Sequence, residues 1–563
     1  MFDKLMNWLG HFFENWMKWW KTRGLKFNMF DESMTKKQLK NPFNWMGGML
    51  YILLILQVVI GIVLTFFYIP DTSPVEEINP DLVTIKHGRS LTFYMKECEE
   101  MQAKLDAGEI VEPRYLTVEE QAEYDKALAE FEPIKTDLES KKEPFKTQLD
   151  ELTPKIDDAK KKLKDLESAE AKDQTQIDAT TKELADLENQ ATTIKASIDP
   201  LQAKLDEENA RILGSWTAHI SERTDLIAHA GKTPKEICDE MGVVISRAYQ
   251  SVAGISSNPI TRTIRGIHRY GAYAFIALLM LRWLRMYFNG EFKKPGELTW
   301  IIATLVVVIS TFSGVTGYLL PFDQRSYWAT TVGTQMLDSV DQLPVIGAMG
   351  IGKGIKFIAL GAHQVGQTTI LRFNILHYLL PIAIFLAAEL YFLRSRKKRP
   401  KLNWIMFAVI ALVIIGSILY LPAVNEPPPN TVKTPDHILP DWYFLFVYFY
   451  LKFLPGAIGP ILTVLFIVFL LFMPVIDRRI EKEPKNRPSF TTLAIGGLTF
   501  FLIGSIVSYW VPFKDAERAM YINTMVIFNG LIFALAFVLE YLWLRRRKRM
   551  LEKKKLELGV GSL

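Results

Sequence analysis

The 563 residues are 49% hydrophobic and 12% aromatic, and the apolar ones gather into long runs, which excludes an ordinary soluble domain. The net charge of +5 is largely a bias of Lys and Arg toward one set of loops and gives no reason to invoke nucleic acid. Cys98 and Cys238 are open to pairing or to staying apart, and the lack of any CxxCH stretch excludes a covalent c-type haem site.

In chain order, residues 1–40 open with Trp and Phe mixed with Lys and lack a small-residue cleavage site. They read as an uncleaved amphipathic helix lying in the cytoplasmic interface. Eight segments are then long enough to span a bilayer: about 45–69, 269–288, 298–320, 373–394, 404–422, 457–477, 491–511 and 521–545. Arg282 and Arg285 interrupt the second near its end. Basic residues collect on one side, at Lys18–Lys26, Lys293–Lys294, Arg394–Lys401, Arg478–Lys482 and Arg545–Arg549. This places both termini in the cytoplasm of a multi-pass protein of the inner (cytoplasmic) membrane.

Between the first two spans the composition changes completely. Residues 116–212 are rich in Ala, Lys, Glu, Asp, Leu and Gln, with Leu138, Leu149, Leu152, Ile156, Leu163 and Leu166 at three- and four-residue spacings. The pattern predicts an antiparallel coiled-coil hairpin turning near Ser168–Gln174, outside the membrane, with Pro133, Pro144 and Pro154 kinking or breaking its first arm. The arm holds no metal-ligand cluster, glycine-rich loop or nucleophile–base pairing, so it reads as a spacer or docking element. The expected organisation is an all-α polytopic membrane protein. Its parts are an interfacial helix (1–40), a first span (41–73), the insertion (74–245), spans two to four with a site loop (246–400), a fifth span and loop (401–455), and three C-terminal spans with a basic tail (456–563).

Two histidines carry the chemistry. His268 and His377 are the only ones lodged inside long apolar segments, each just within the start of its segment. An imidazole facing hydrocarbon is costly and marks function by default. The topology puts both in the outer half of the membrane on different helices, the usual arrangement for bis-histidine ligation of a haem iron within a helix bundle. The alternative is two unrelated histidines bonded to neighbouring carbonyls.

Reading outward from these positions, the chain resembles cytochrome b, the membrane subunit of the cytochrome bc complexes. The stretches that carry the resemblance are NWMGGMLYILLILQVVIGIVLTFFYIPDT, AYQSVAGISSNPITRTIRGIH, TGYLLPFDQRSYWATTV, TTILRFNILHYLLP and LPDWYFLF, in order over 41–73 and 246–455. The last spans 439–446 and is similar to the PEWY-type motif of the family, here PDWY. The resemblance implies His268 and His377 as ligands of an outer haem b, with Arg265 and Arg372 facing its propionates. Gly61 and Gly317 match glycines that let helices approach the porphyrin closely. It also implies an outer quinol site in which Asp441 accepts a proton, Tyr443 helps shape the pocket, and Tyr318 with Pro321–Trp328 forms the facing wall. Asp441 could instead be the N-cap of the apolar helix that follows. Implied partners are a Rieske iron–sulfur protein, a cytochrome c-type subunit or other outer cytochrome, and a second copy in a homodimer.

The chain departs from the family on the inner side. Cytochromes b carry a second histidine on each ligand helix fourteen positions further in, roughly 21 Å along the axis. Here those positions are Arg282 and Tyr391, and the matching inner glycine of the third helix is Ala303, although Gly47 remains. The position of an inner-site histidine is Arg396. The expectation is therefore a quinol-oxidising cytochrome b with one outer haem and neither inner haem nor inner quinone site. The alternatives are a two-haem subunit with unusual inner ligands, or a haem-bearing structural subunit.

Overall fold

The computed structural model describes residues 45–85, 89–168, 174–395, 403–423, 425–435, 438–454, 456–510 and 518–557. The interfacial helix expected over 1–40, and Arg396, lie outside the described residues. Among the described residues the regular structure is helical, with four isolated bridges and no strand. The first helices in chain order are α1 (Met46–Thr65), α2 (Leu91–Asp106), α3 (Val118–Ser168), α4 (Gln174–Ile212), α5 (Gly214–His229), α6 (Pro234–Glu240) and α7 (Arg247–Ser257). Next come α8 (Pro259–Phe288), α9 (Glu297–Leu319), α10 (Gln324–Val340), α11 (Pro344–Met349), α12 (Ile351–Leu360) and α13 (Gln367–Ser395). The chain closes with α14 (Trp404–Tyr420), α15 (Leu445–Phe453), α16 (Ile458–Leu471), α17 (Met473–Ile476), α18 (Pro488–Trp510) and α19 (Arg518–Glu557).

The chain forms two compact units, one of Thr92–Thr233 and one of Met1–Leu91 with Pro234–Leu563. In the larger unit α1 packs on α8 and α13, and α9 packs on α8 and α13, closing a four-helix ring. The ring's core is apolar: Leu50, Leu53 and Leu54 of α1 meet Phe275 and Leu279 of α8, Trp300 and Ala303 of α9, and Ala388 of α13. Helix α8, which carries His268, starts sharply. The Asn258 side chain accepts from Ile260 N at 2.9 Å and Pro259 takes the first helical position, where a missing N–H costs nothing. At its far end the Arg487 guanidinium donates to the Tyr287 and Phe288 carbonyls at 3.1 Å each, satisfying the last turn. Asp477 neutralises that buried cation at 3.2 Å and Lys293 at 2.9 Å. Breaking such a pair on one side costs roughly 3–5 kcal/mol, so α8, the loop after it and the segment before α18 are held as one piece.

Among the described residues six helices are long and apolar enough to cross a membrane: Met46–Thr65, Pro259–Phe288, Glu297–Leu319, Gln367–Leu393, Pro488–Trp510 and Met520–Lys553. The other two expected spans, α14 and α16, are apolar helices of 17 and 14 residues. At about 1.5 Å per residue α16 covers only about 21 Å, because the helix stops at Phe472 and Pro474 opens a separate short turn.

In the smaller unit α3 and α4 run antiparallel, with Arg211 reaching Glu130 at 3.5 Å, Lys142 reaching Gln202 at 2.7 Å and Lys160 reaching Glu188 at 3.0 Å. The seam between them is thin, built on Phe131, Leu138, Ala159 and Ala191. Pro133, Pro144 and Pro154, expected to kink or break the first arm, all lie inside the unbroken helix α3. Each removes one backbone hydrogen bond, and the packing of α4 along α3 supplies what the local propensity lacks. Cys98 and Cys238 are both free and buried, and burial pushes each thiol up to about 11.

The arm's base is locked by Glu120. Arg223 donates to both its carboxylate oxygens at 2.7 and 2.9 Å, and Thr117 N donates at 2.9 Å. The arginine hydrogen bonds first, then the Thr117 amide, hold this carboxyl down at about 2. A depressed carboxyl contributes stability above its ordinary range and loses it as pH falls through 4.5 toward 2. Protection factors against hydrogen exchange at the start of α3 should therefore fall between pH 4.5 and pH 2, and Glu120→Gln should abolish that step while costing about 1 kcal/mol at pH 7. Equal exchange in both proteins across that window would show that the pair does not fasten the base.

Candidate functional site

Helices α1, α8, α9 and α13 surround a cavity of about 510 Å³ within the larger unit. Its lining includes eight of the nine sequence-derived site residues: Gly61, Arg265, His268, Gly317, Tyr318, His377, Asp441 and Tyr443. The ninth, Arg372, is exposed and donates to the Phe357 carbonyl at 3.3 Å and to that of Ile358. It caps the C-terminal carbonyls of α12 rather than lining the cavity.

The two imidazoles face each other with ring centroids 5.9 Å apart and planes at 79°. A metal–imidazole bond of about 2 Å on each side would set such rings roughly 6 Å apart, so the spacing suits one shared ion. Both rings sit against glycine. A Cβ on Gly317 would land on His377 Cε1, while one on Gly61 would lie 3.5 Å from His268 Cε1. His377 Nδ1 is 2.9 Å from the Ser313 carbonyl, a contact that fixes the ring and leaves Nε2 as the ligating nitrogen. The carbonyl contact foreseen as an alternative to ligation is thus present at His377, but it orients a ring that already faces His268. Gln57 of α1 packs beside His268, its side-chain amide 2.8 Å from the His268 carbonyl and 3.1 Å from Nδ1. The residues present therefore fit a planar macrocycle held from two sides. Arg265, the cation expected beside a propionate, is held by Ser256, by Asn425 at 2.5 Å and by the Ala423 carbonyl at 3.1 Å.

Asp441 enters the same cavity from the loop before α15. It occupies the N-cap position of the short turn Trp442–Phe444, but its side chain makes no capping bond. Instead Tyr273 donates to one carboxylate oxygen at 2.7 Å and Tyr443 to the other at 3.1 Å. Arg269 Nε donates in turn to the Tyr273 hydroxyl oxygen at 3.2 Å. Tyr443 lies over Gly314, where a Cβ would meet its hydroxyl at 2.5 Å, about 4.5 Å along α9 from Gly317. Tyr318 donates to the Leu439 carbonyl at 3.2 Å, tying α9 to the Asp441 loop. Asp323 begins α10 with a reciprocal capping box to Ser326, and Arg325 pairs with Glu426, so the polar lining is itself tied down.

Sequence reading missed Gln57, Arg269 and Tyr273. The available signal was their polarity inside membrane-length apolar helices, one turn or so from His268 or Gly61.

Comparison with known proteins places matches over this bundle and beyond. The family described as Cytochrome b(N-terminal)/b6/petB matches residues 273–403, beginning five positions after His268, and Cytochrome b(C-terminal)/b6/petD matches 428–533. Cytochrome b of Rickettsia bellii (strain RML369-C) is 30% identical over 275 residues, covering 44% of this chain and 67% of that protein. Cytochrome b of Eptatretus burgeri is 28% identical over 317 residues, 51% of this chain and 78% of its own. Cytochrome b of Schizosaccharomyces japonicus is 29% identical over 282 residues, 45% and 69% respectively. A chain of a solved structure titled "Hyperthermophilic respiratory Complex III" aligns at a TM-score of 0.43 and 25% identity over 52% of this chain and 82% of that one, a likeness too loose to add to the sequence relationship.

Proposed function

This chain belongs to the cytochrome b family of respiratory electron transport, and from that premise we propose that it oxidises quinol at an outer-side site of a bc-type complex. The observation that carries the reading is that His268 and His377 face each other across the cavity that Asp441, Tyr443 and Tyr318 also line. In this reading the two histidines hold one haem b, which when bound supplies a one-electron acceptor beside the quinol. Gly61 and Gly317 would leave it room in the cavity, and Arg265 would supply a positive charge there. Asp441 takes a proton from the quinol hydroxyl while the apolar cavity walls exclude bulk water. A Rieske iron–sulfur protein accepts the other electron outside, with a cytochrome c-type subunit or other outer cytochrome beyond it. The protein works as a homodimer in the cytoplasmic membrane, both termini inside.

The inner half of the bundle supports a single haem. Arg282 is buried there, Trp283 stacks on the fully buried Trp300 at 5.0 Å, and Ala303 is fully enclosed. Trp300 Nε1–H donates to the Leu470 carbonyl at 2.7 Å, Trp283 Nε1–H to Thr304 at 3.0 Å, and Tyr51 to Glu389. Tyr391, which stands where the family carries its inner ligand on this helix, packs edge-on against Phe392 at 5.6 Å. This close packing is what supports the reading that no second macrocycle is held there. Without an inner haem, an electron accepted at a group held by His268 and His377 would have to pass to a dimer mate or to another cytochrome.

The purified protein should return one b haem per chain in a pyridine haemochrome assay and a single b-type midpoint in an optical redox titration. Two haems per chain would replace this reading with a two-haem subunit ligated in part by Tyr391, and none would remove the haem assignment itself.

A further inference from the structure

Tyr273 and Arg269 stand on the ligand helix, five and one positions after His268, and neither has a role in the function proposed above. They form a directed chain of hydrogen bonds ending on Asp441. Arg269 Nε–H donates to the Tyr273 oxygen at 3.2 Å, so the phenol hydrogen is free to point the other way, and it does, to Asp441 Oδ1 at 2.7 Å. The guanidinium carbon lies 5.8 Å from the Tyr273 ring centroid, adding a cation close to the same ring. Tyr443 closes the far side by donating to Oδ2 at 3.1 Å.

We propose that Tyr273, oriented by Arg269, is the positioning residue that holds the Asp441 carboxylate ready to take the quinol's proton. Three physical facts carry this. First, a carboxylate side chain at the head of a short turn can cap that turn, and here it does not, so something else fixes its direction. Second, a shared donor series polarises along its length, so the bond from Tyr273 is stronger with Arg269 behind it than alone. Third, a carboxylate has about four acceptor sites, and the two phenols use two, leaving others turned into the cavity for the substrate hydroxyl. In the step itself a quinol O–H bond breaks as a carboxyl O–H bond forms on Asp441, and the electron leaves to a one-electron acceptor of the haem or iron–sulfur class. Tyr273 keeps its own proton throughout. Because its backbone lies about 7.5 Å along α8 from His268, the same helix fixes both the haem ligand and the carboxylate's partner.

The inference rests on the quinol-oxidising reading, and a double-mutant cycle separates the two. In the intact complex, with a short-chain quinol as substrate, Tyr273→Phe should lower kcat about tenfold, the worth of one hydrogen bond to a charged group, with KM changed less than twofold. Asp441→Asn should lower it further, and the double variant should be no slower than Asp441→Asn alone, since the phenol acts only through that carboxylate. The infrared difference band of the carboxylate, identified by its loss in Asp441→Asn, should shift in Tyr273→Phe and return toward its position only when a hydroxyl donor is restored. Arg269→Leu should reproduce a weaker form of the Tyr273→Phe effect with haem content unchanged. Multiplying losses in the double variant, or an unshifted band, would overturn the positioning role while leaving quinol oxidation intact. An unaltered rate in Asp441→Asn would instead overturn the reading on which it stands.

Discussion

Alanine in place of His268 or His377 should strip the protein of its b haem, leaving a pyridine haemochrome signal near zero while the helical content stays within a few per cent. Each ring is one of two facing across 5.9 Å in the same cavity, so no third imidazole stands ready to replace it among the residues lining that cavity. Substitution at the glycines should grade the effect by geometry. Gly317→Ala places a Cβ on His377 Cε1 and should cost much of the haem, because the ring is already tied to the Ser313 carbonyl and cannot withdraw freely. At Gly61 the added carbon meets His268 only at an ordinary 3.5 Å, so Gly61→Ala should leave that ligand in place. Haem retained at full occupancy in His377→Ala would refute the ligand assignment outright.

Asp441→Asn should slow quinol oxidation about 100-fold, the lower end of what a positioned proton acceptor contributes, without loss of haem. The amide keeps the shape of the side chain but cannot take a proton, and its NH2 would oppose one of the two phenols that now donate to it. Stopped-flow reduction of the haem by quinol is the direct measurement, with haem content as the control. A rate within a factor of two of the native protein would leave the chain as a haem-bearing structural subunit.

Much of the architecture was legible because it is written locally. Apolar runs of membrane length and the change of composition at the insertion depend only on neighbours in the chain, and α1, α8, α9, α13, α3 and α4 stand within those patterns, while the expected turn after Ser168 lies outside the described residues. The limits of that reading were also local. Three prolines argue against a continuous helix at their own positions, yet α3 runs through all of them beside α4. A single apolar stretch at 457–477 suggested one span, and Phe472 and Pro474 divide it.

Residue types and spacings alone determined that two histidines sit at like depth on separate apolar helices, that glycines accompany them, and that an acidic loop motif follows. Which of these meet was decided by helix packing. Asp441 and Tyr273 are 168 positions apart, and no periodicity in either segment reports the 2.7 Å bond between them. Likewise Arg372 carries the charge expected at a propionate but caps α12, because a guanidinium at the start of α13 finds the unsatisfied carbonyls of that helix end first. Chain-local chemistry specifies which helices form and what they carry; the ridges and grooves by which α1, α8, α9 and α13 close their ring specify which side chains face one another across the cavity.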